Sequence, residues 1–150
     1  MKVLMVCLGN ICRSPLAEGL MARKIKAYGL DWEVESAGTG GWHVGEQPDP
    51  RSIEVAEKHD LDITYQRGRQ FSEYDFERFD LIYAMDTSNY RDVTKLANTE
   101  EERSKVKLIL NELIADSNES VPDPYWDDDG FEQVYQMLDD ACEAIINKYK

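Results

Sequence analysis

The chain has 150 residues, of which 30 are acidic and 17 basic, and its net charge is −13. This length predicts one domain, spanning residues 1–150, with a buried core of its own. The acidic surface repels nucleic acid and anionic lipid, so neither is an expected partner. No apolar run approaches the roughly 20 residues of a membrane-spanning helix, and the start of the chain lacks the long apolar segment of a signal peptide.

Strands and helices are predicted to alternate along the chain. Lys2–Cys7 is a continuous apolar run after its first residue, the pattern of a buried parallel strand. Further strands are expected at residues 33–37, 80–85 and 106–110. Such alternation predicts an α/β fold, with a single open, mainly parallel four-stranded twisted sheet and helices on both faces. Ligands of these folds bind beyond the carboxyl ends of the strands, and Cys7 ends the first strand.

Four helices are expected, at residues 14–29, 50–59, 87–97 and 131–146. Ser14 is the predicted N-cap of the first helix, Pro15 its first helical residue and Gly29 its end. Asp49 caps the second helix by the same reasoning, with Pro50 in the first turn.

Residues 7–14 form a short loop between the first strand and the first helix. Backbone N–H groups of such a loop can converge on one anion, and the helix N-terminus adds its dipole. Arg13 can hold two phosphoryl oxygens with its planar guanidinium, and these positive charges favour the thiolate form of Cys7. Gly9 is expected to supply unusual backbone dihedrals near the anion. The loop therefore predicts a phosphate site with Cys7 as nucleophile.

Each of these residues also has an ordinary interpretation. Cys7 as a core cysteine and Arg13 as a surface charge would leave their joint placement around the loop unexplained. No Gly-Lys-Ser/Thr follows, so the loop does not predict a nucleotide site. Asp123 lies between two prolines, and the residues alone leave a general acid and a common Asp-Pro turn equally open.

The three cysteines, Cys7, Cys12 and Cys142, cannot all pair, and this count is typical of a reducing compartment. We therefore expect a cytoplasmic protein, and we also expect a monomer. The two histidines, His43 and His59, lie far from the cysteines in sequence, so no metal site or other cofactor is expected.

The chain resembles the low-molecular-weight protein tyrosine phosphatases over essentially its whole length. The segments that carry the resemblance follow the family's order: Cys7-Leu8-Gly9-Asn10-Ile11-Cys12-Arg13-Ser14-Pro15, Ser36-Ala37-Gly38-Thr39, Asp49-Pro50-Arg51, Ala84-Met85-Asp86 and Val121-Pro122-Asp123-Pro124-Tyr125. The resemblance implies hydrolysis of phosphotyrosine in proteins through a cysteinyl-phosphate intermediate. Phosphotyrosine-containing proteins are then the expected partners.

The resemblance also implies a role for each site residue. Cys7 is the nucleophile, Arg13 binds the phosphoryl group with the N–H groups of the loop, and Asp123 is the general acid and base. Residues expected to bind substrate or phosphate are Leu8, Gly9, Asn10, Ile11, Cys12, Arg13, Ser14, Trp42, Tyr125 and Trp126. Of these, Leu8, Trp42, Tyr125 and Trp126 are the expected walls of an aromatic slot, with both tryptophans exposed at its rim.

Four further roles are expected from the resemblance. Asn10 and His59 hydrogen-bond the loop and fix its shape, Ser14 donates to the Cys7 sulfur, and Asp86 anchors the loop and Arg13. The chain departs from its relatives at Trp126, which three aspartates follow, at positions 127, 128 and 129. These carboxylates could select basic residues near the phosphotyrosine, but capping of the last helix is favoured.

The sequence supports three other functions less well. An arsenate reductase on this fold relays a disulfide through two further cysteines, and none lies between Cys12 and Cys142. A protein-arginine phosphatase of the family typically has threonine at the position of Ile11, and isoleucine favours an aromatic substrate. A catalytically silent phosphotyrosine-binding module has no support, since the nucleophile, the arginine and the acid are all present.

Cys12 adds an expectation of redox control. In the family this second loop cysteine forms a disulfide with the nucleophile under oxidation. The resemblance therefore implies a reversible Cys7–Cys12 link, while the ordinary interpretation of Cys12 is a small buried loop residue.

Overall fold

Four short strands form one parallel sheet in the computed structural model, which describes residues 1–127 and 129–150. The strands are β1 Lys2–Cys7, β2 Glu33–Gly38, β3 Leu81–Ala84 and β4 Val106–Leu108. Their order is β2-β1-β3-β4, and every pairing is parallel. The predicted fold class is confirmed.

Helices cover both faces of this sheet. In chain order they are α1 Arg13–Ala27, α2 Pro50–Lys58, α3 Asp75–Arg78, α4 Thr87–Thr94, α5 Glu100–Ser104 and α6 Gly130–Tyr149. Alternate residues of β1 point to opposite sides, so that Val3 and Met5 pack with α1, α2 and α6, whereas Leu4 and Val6 pack with α3 and α4. In the described part of the chain, no helix is long and apolar enough to cross a membrane.

Several boundaries differ from the prediction. The expected strand 106–110 ends at Leu108, because the chain turns into the 3-10 segment Ile109–Glu112. Its first two residues, Ile109 and Leu110, remain buried, which explains why the apolar run continues beyond the strand. Helices α3 and α5 have four and five residues, too few to show a helical period in the sequence.

The start of α1 corrects the predicted cap. The helix begins at Arg13 with Cys12 as its N-cap, and no side chain makes a capping hydrogen bond. Ser14 is therefore inside the first turn, where its hydroxyl lies 3.0 Å from the Cys7 sulfur. Pro15 is tolerated there because first-turn N–H groups have no partner within the helix. The end is as predicted, with Gly29 at φ +65° just after the C-cap.

The caps of α2 and α6 differ from each other. Asp49 caps α2 as predicted, since its carboxylate accepts a hydrogen bond from the backbone N–H of Arg51 at 2.8 Å. Asp129 is the N-cap residue of α6 but makes no side-chain capping hydrogen bond. Asp127 accepts from the backbone N–H of Asp129 at 3.1 Å, and Asp128 lies outside the described residues. A side-chain cap by Asp129 is therefore not formed.

The carboxyl ends of β1 and β3 bring three segments to one edge of the sheet. Val6 of β1 pairs with Ala84 of β3, so Cys7, which ends β1, and Asp86, which follows β3, lie at the ends of neighbouring strands. The segment that carries Asp123 joins this edge through the N–H of Val121, which donates to the carbonyl of Met85 at 2.8 Å. This edge is where the predicted site residues meet.

Candidate active site

The carbonyl groups of the loop after β1 point away from its interior. Four of them accept hydrogen bonds from outside the loop: Cys7 from Thr39 N at 2.9 Å, Leu8 from Gly40 N at 2.9 Å, Ile11 from Asp49 N at 2.8 Å and Cys12 from Ser52 Oγ at 3.3 Å. In a trans peptide the C=O and the next N–H point in opposite directions. The following N–H groups therefore face the inside of the loop.

These N–H groups have the arrangement of an anion-binding nest. Within residues 1–127 and 129–150, no acceptor is found for the backbone N–H groups of residues 8–12. The N-terminus of α1, which begins at Arg13, adds its positive dipole to the same place. The loop can therefore bind a phosphoryl group with its backbone, as the sequence predicts.

Backbone strain in the loop falls on Asn10 and not on Gly9. Asn10 has φ +58°, in the left-handed region that asparagine enters more readily than most residues, whereas Gly9 does not have a positive φ. The expectation of unusual dihedrals at Gly9 is therefore wrong. A Cβ on Gly9 would lie 3.2 Å from Cδ2 of His43, a close contact that would require the ring to shift by a few tenths of an ångström.

The sulfur of Cys7 is the end of a set of directed hydrogen bonds. Its Sγ lies 3.0 Å from Oγ of Ser14, and Nδ2 of Asn10 donates to that same oxygen at 2.8 Å. Because Ser14 accepts from Asn10, its own hydrogen is available to the sulfur. The carbonyl of the Asn10 side chain accepts from the backbone N–H of Arg69 at 3.0 Å, which fixes the amide. These contacts agree with the supporting roles expected for Asn10 and Ser14.

Arg13 is buried at the base of the site, with 2% of its side chain exposed. Its Nη1 donates to Asp86 at 2.7 Å and to the carbonyl of Val121 at 3.0 Å, and its Nη2 lies 3.6 Å from Asp123. Burial opposes the charge, but the charge of Cys7 and the hydrogen bond to Asp86 raise the pKa of Arg13. The predicted contact between Asp86 and Arg13 is confirmed.

Asp123 has the extended backbone that its flanking prolines predict. Its φ and ψ are −84° and 110°, and its Oδ1 accepts from the backbone N–H of Tyr125 at 3.0 Å. The carboxylate is one-third exposed and faces Arg13 across the cavity, with its second oxygen directed to the guanidinium. It can therefore reach both the buried site and solvent.

One cavity of about 190 Å³ is lined by most of the predicted site residues. Its lining comprises Cys7, Leu8, Gly9, Ile11, Cys12, Arg13, Trp42, His43, Asp123, Tyr125 and Trp126. Trp42 and Trp126 are 70% and 84% exposed, which confirms their expected place at the rim. Asn10 and Ser14 are instead buried behind the loop, so they support it and do not line the cavity.

His59 is not part of this site, and the expectation that it hydrogen-bonds the loop is wrong. Its Nε2 lies 2.9 and 3.0 Å from the two carboxylate oxygens of Glu132, and its ring stacks on Tyr135 at 4.0 Å between centroids. The reason is its position at the C-cap of α2, whose N-terminus faces the loop. The nine-residue helix carries His59 roughly 13 Å away along its axis.

Sequence reasoning missed His43 and Ser36. His43 lines the cavity next to Trp42, and its ring nitrogen lies 2.9 Å from Glu46. Its adjacency to a rim tryptophan was the available signal. Ser36 receives a hydrogen bond from Asn10 at 3.0 Å, and the only signal for it in the sequence is its place in the segment Ser36-Ala37-Gly38-Thr39.

The two remaining cysteines have different surroundings. Cys12 lines the cavity, and burial, followed by the charges of Asp49 and Cys7, raises the pKa of its thiol to about 12. Cys142 is fully buried in α6, where its thiol donates to the carbonyl of Ala17 at 3.7 Å and burial raises its pKa to about 12. Across the described residues, no group of three or more His, Cys, Asp or Glu side chains is arranged to hold a metal ion.

The fold and the site together define a class of protein, namely α/β proteins with a thiol at an anion-binding loop. A parallel α/β sheet ends its first strand in a thiol, and the loop that follows turns its N–H groups and a buried arginine toward one anion site. A carboxylate and aromatic side chains close the other side of the cavity.

Comparisons with known proteins agree with this class. The family described as low molecular weight phosphotyrosine protein phosphatase matches residues 2–150. Low molecular weight phosphotyrosine protein phosphatase 1 of Drosophila melanogaster is 42% identical over 152 residues, which cover 98% of this chain and 96% of the relative. The chain therefore belongs to the low molecular weight phosphotyrosine protein phosphatase family.

Two solved structures are similar over their whole length. The protein tyrosine phosphatase of Entamoeba histolytica has a TM-score of 0.92 and 37% identity, with 99% of this chain and 96% of that chain covered. DARP, a Drosophila arginine phosphatase, also has a TM-score of 0.92, with 36% identity and coverage of 100% and 98%. The fold alone therefore does not separate a phosphotyrosine from a phosphoarginine substrate.

Arg13→Lys should reduce kcat/KM for p-nitrophenyl phosphate by roughly 10²–10³-fold, although it keeps the charge. A lysine ammonium cannot bridge two phosphoryl oxygens and at the same time hold Asp86 and Val121. Arg91→Lys, on the exposed face of α4, is the matched control and should retain wild-type kinetics. Near-wild-type kinetics of Arg13→Lys would show that the guanidinium does not bind the phosphoryl group.

Proposed function

We propose that the chain hydrolyses phosphotyrosine in proteins through a cysteinyl-phosphate intermediate. The observation that carries the proposal is that one cavity joins the thiol of Cys7, the guanidinium of Arg13 and the carboxylate of Asp123 beneath an aromatic rim. Phosphoproteins are then the substrates. We also propose that the protein acts as a single-domain monomer in the cytoplasm.

In the first step, the loop N–H groups and Arg13 bind the phosphoryl oxygens and hold phosphorus over the sulfur. The Cys7 thiolate attacks phosphorus, so that a P–S bond forms while the bond to the phenolic oxygen breaks. Tyrosine titrates at about pH 10, so its phenolate is a poor leaving group near neutral pH. Asp123 donates a proton to the departing oxygen, a role that its position opposite Arg13 allows.

In the second step, the same groups release phosphate. Asp123, now ionised, takes a proton from a water molecule that attacks phosphorus, and the P–S bond breaks. The sulfur leaves as a thiolate, and the hydroxyl of Ser14 at 3.0 Å stabilises it. Arg13 holds the charge of the transferring phosphoryl group in both steps.

The depth of the cavity supports selection of an aromatic substrate. Cys7 is only 2% exposed, whereas the tryptophans at the rim project into solvent. A phenyl ring can span this distance and stack against Tyr125 or Trp42, while a phosphoserine side chain is too short to do so.

Phosphoarginine is the second candidate substrate, because the structure of DARP is so similar. The side chain of Ile11 lines the cavity and offers no hydrogen bond to a guanidinium, which favours phosphotyrosine.

An arsenate reductase relay has less support, since Cys142 is buried in α6 and donates to Ala17. Turnover of phosphotyrosine, phosphoserine, phosphoarginine and arsenate side by side tests the proposal, and a preference for any but the first would contradict it.

Asp123→Asn should reduce kcat for phosphotyrosine by roughly 10²–10³-fold, because the leaving phenolate then receives no proton. The loss for p-nitrophenyl phosphate should be much smaller, since its phenol is more acidic and leaves unassisted. Steady-state kinetics with both substrates measure the difference. The control Asp127→Asn removes a neighbouring carboxylate that contacts Asp129 and should leave both rates unchanged. Equal losses for both substrates would place the general acid elsewhere.

Redox control by Cys12 is a further part of the proposal. Peroxide oxidises the Cys7 thiolate to a sulfenic acid, and the Cys12 thiol then displaces water from it to form a disulfide. Both cysteines line the same cavity, which supports this pairing. Inactivation should therefore be reversible by thiols in the wild type.

Cys12→Ser should retain turnover but recover poorly after peroxide, because the sulfenic acid then has no neighbouring thiol and oxidises further. Cys142→Ser is the control and should recover as the wild type does. Recovery of activity after dithiothreitol and peptide mass spectrometry are the measurements. Equal recovery of Cys12→Ser, or a Cys7–Cys142 link, would contradict the proposed pairing.

A further inference from the structure

Four hydrogen bonds connect Cys7 to a carboxylate that neither step of the reaction uses. The sulfur lies 3.0 Å from Ser14 Oγ, and Asn10 Nδ2 donates to that oxygen at 2.8 Å. Asn10 Nδ2 also donates to Ser36 Oγ at 3.0 Å, and Ser36 in turn donates to Glu18 Oε1 at 2.8 Å. This series of hydrogen bonds therefore runs from Cys7, behind the loop, to Glu18 on α1.

The carboxylate of Glu18 sets the direction of its bond with Ser36, and the amide NH2 group of Asn10, which can only donate, sets the directions of the next two. An ionised carboxylate only accepts hydrogen bonds, so Ser36 must give its single hydrogen to Glu18 and present its lone pairs to Asn10. Asn10 can then direct one amide hydrogen to Ser36 and the other to Ser14. With that oxygen already accepting, the hydrogen of Ser14 is directed to the sulfur.

Both ends of this series are fixed by further contacts. The hydroxyl of Tyr65 donates to Glu18 Oε2 at 3.1 Å, so each carboxylate oxygen accepts from a hydroxyl. Burial raises the pKa of Glu18, and the hydrogen bonds from Ser36 and Tyr65 act against burial by favouring the ionised form. At the other end, the backbone N–H of Arg69 holds the carbonyl oxygen of Asn10 and prevents the amide from turning over.

We infer that Glu18 is a positioning residue for the nucleophile, acting through Ser36, Asn10 and Ser14. The inference rests on the proposed function, because it concerns the step in which the Cys7 sulfur leaves phosphorus. Without the carboxylate, the hydroxyl of Ser36 has no acceptor for its hydrogen and is free to rotate, so it holds the Asn10 amide, and through it Ser14, less firmly. The bond from Ser14 to the thiolate then weakens, so the release of phosphate slows while substrate binding at the loop is retained.

Glu18→Ala should lower kcat for p-nitrophenyl phosphate about tenfold, the effect of weakening one hydrogen bond to a charged sulfur, with KM changed less than about twofold. Glu18→Gln should recover most of kcat, because its amide oxygen still accepts from Ser36. Glu33→Ala is the matched control. It removes an exposed carboxylate of β2 that pairs with Lys2, and it should leave kcat unchanged.

A double-mutant cycle distinguishes a positioning role of Glu18 from an effect on protein stability alone. In a Ser14→Ala background, Glu18→Ala should change kcat less than about twofold, because the link through which it acts is already absent. A full additional loss in that background would overturn the inference. If Glu18→Ala does not fold, Ser36→Ala removes the next hydroxyl in the same series of hydrogen bonds. It should then lower kcat alone and do so little in the Ser14→Ala background.

The activity of the wild type distinguishes a failure of the proposed function from a failure of the role inferred for Glu18. Wild-type protein without turnover of p-nitrophenyl phosphate would contradict the proposed function. An active wild type together with an equally active Glu18→Ala variant would overturn the role of Glu18 and leave the proposed function standing.

Discussion

The buried guanidinium of Arg13 joins the three segments on which the site depends. Arg13 is the first residue of α1. Its guanidinium donates to Asp86, which follows β3, and to the carbonyl of Val121, and it faces Asp123. Removing one partner from a buried ion pair costs about 3–5 kcal/mol, because the other charge is left uncompensated. The same group that we propose to bind a phosphoryl oxygen therefore also holds together the parts of the site. This dual role is important because the protein has a net charge of −13, so an anion must be attracted by local positive charge.

The surroundings of the three cysteines follow from that local field. Cys7 lies over the loop N–H groups and near Arg13, where negative charge is stabilised. Cys12 lines the same cavity, yet burial and the charge of Asp49 raise the pKa of its thiol, so it stays protonated beside Cys7. Cys142 packs among apolar residues of α6. The three cysteines thus lie in three different surroundings: Cys7 at the anion-binding loop, Cys12 buried beside it and Cys142 in the apolar core.

Features that are local in sequence were predicted well. The apolar run of β1, the loop with Cys7 and Arg13, the cap at Asp49 and the proline-flanked Asp123 each depend on residues within a few positions of one another. The rim tryptophans were also placed correctly, because loop residues of that size are seldom accommodated inside a small domain.

Features that depend on tertiary contacts were missed or misplaced. Ser36 and Glu18 lie 26 and 8 residues from Asn10, and no periodicity links them. Ser14 has the local pattern of a cap, but a buried sulfur competes for its hydroxyl, and the helix begins two residues earlier than predicted, at Arg13. His59 was assigned from its sequence neighbourhood, whereas the length of α2 and the carboxylate of Glu132 decide its place.

The central claim is that Cys7 carries the phosphoryl group between the two steps. Acid quenching during turnover of p-nitrophenyl phosphate, followed by peptide mass spectrometry, tests it most directly. The account predicts one added phosphoryl group on the Cys7 peptide of the wild type, and neither this adduct nor turnover in Cys7→Ser, which should still bind inorganic phosphate. Appreciable turnover by Cys7→Ser, or a phosphoryl group trapped on another residue of the active wild type, would contradict the account.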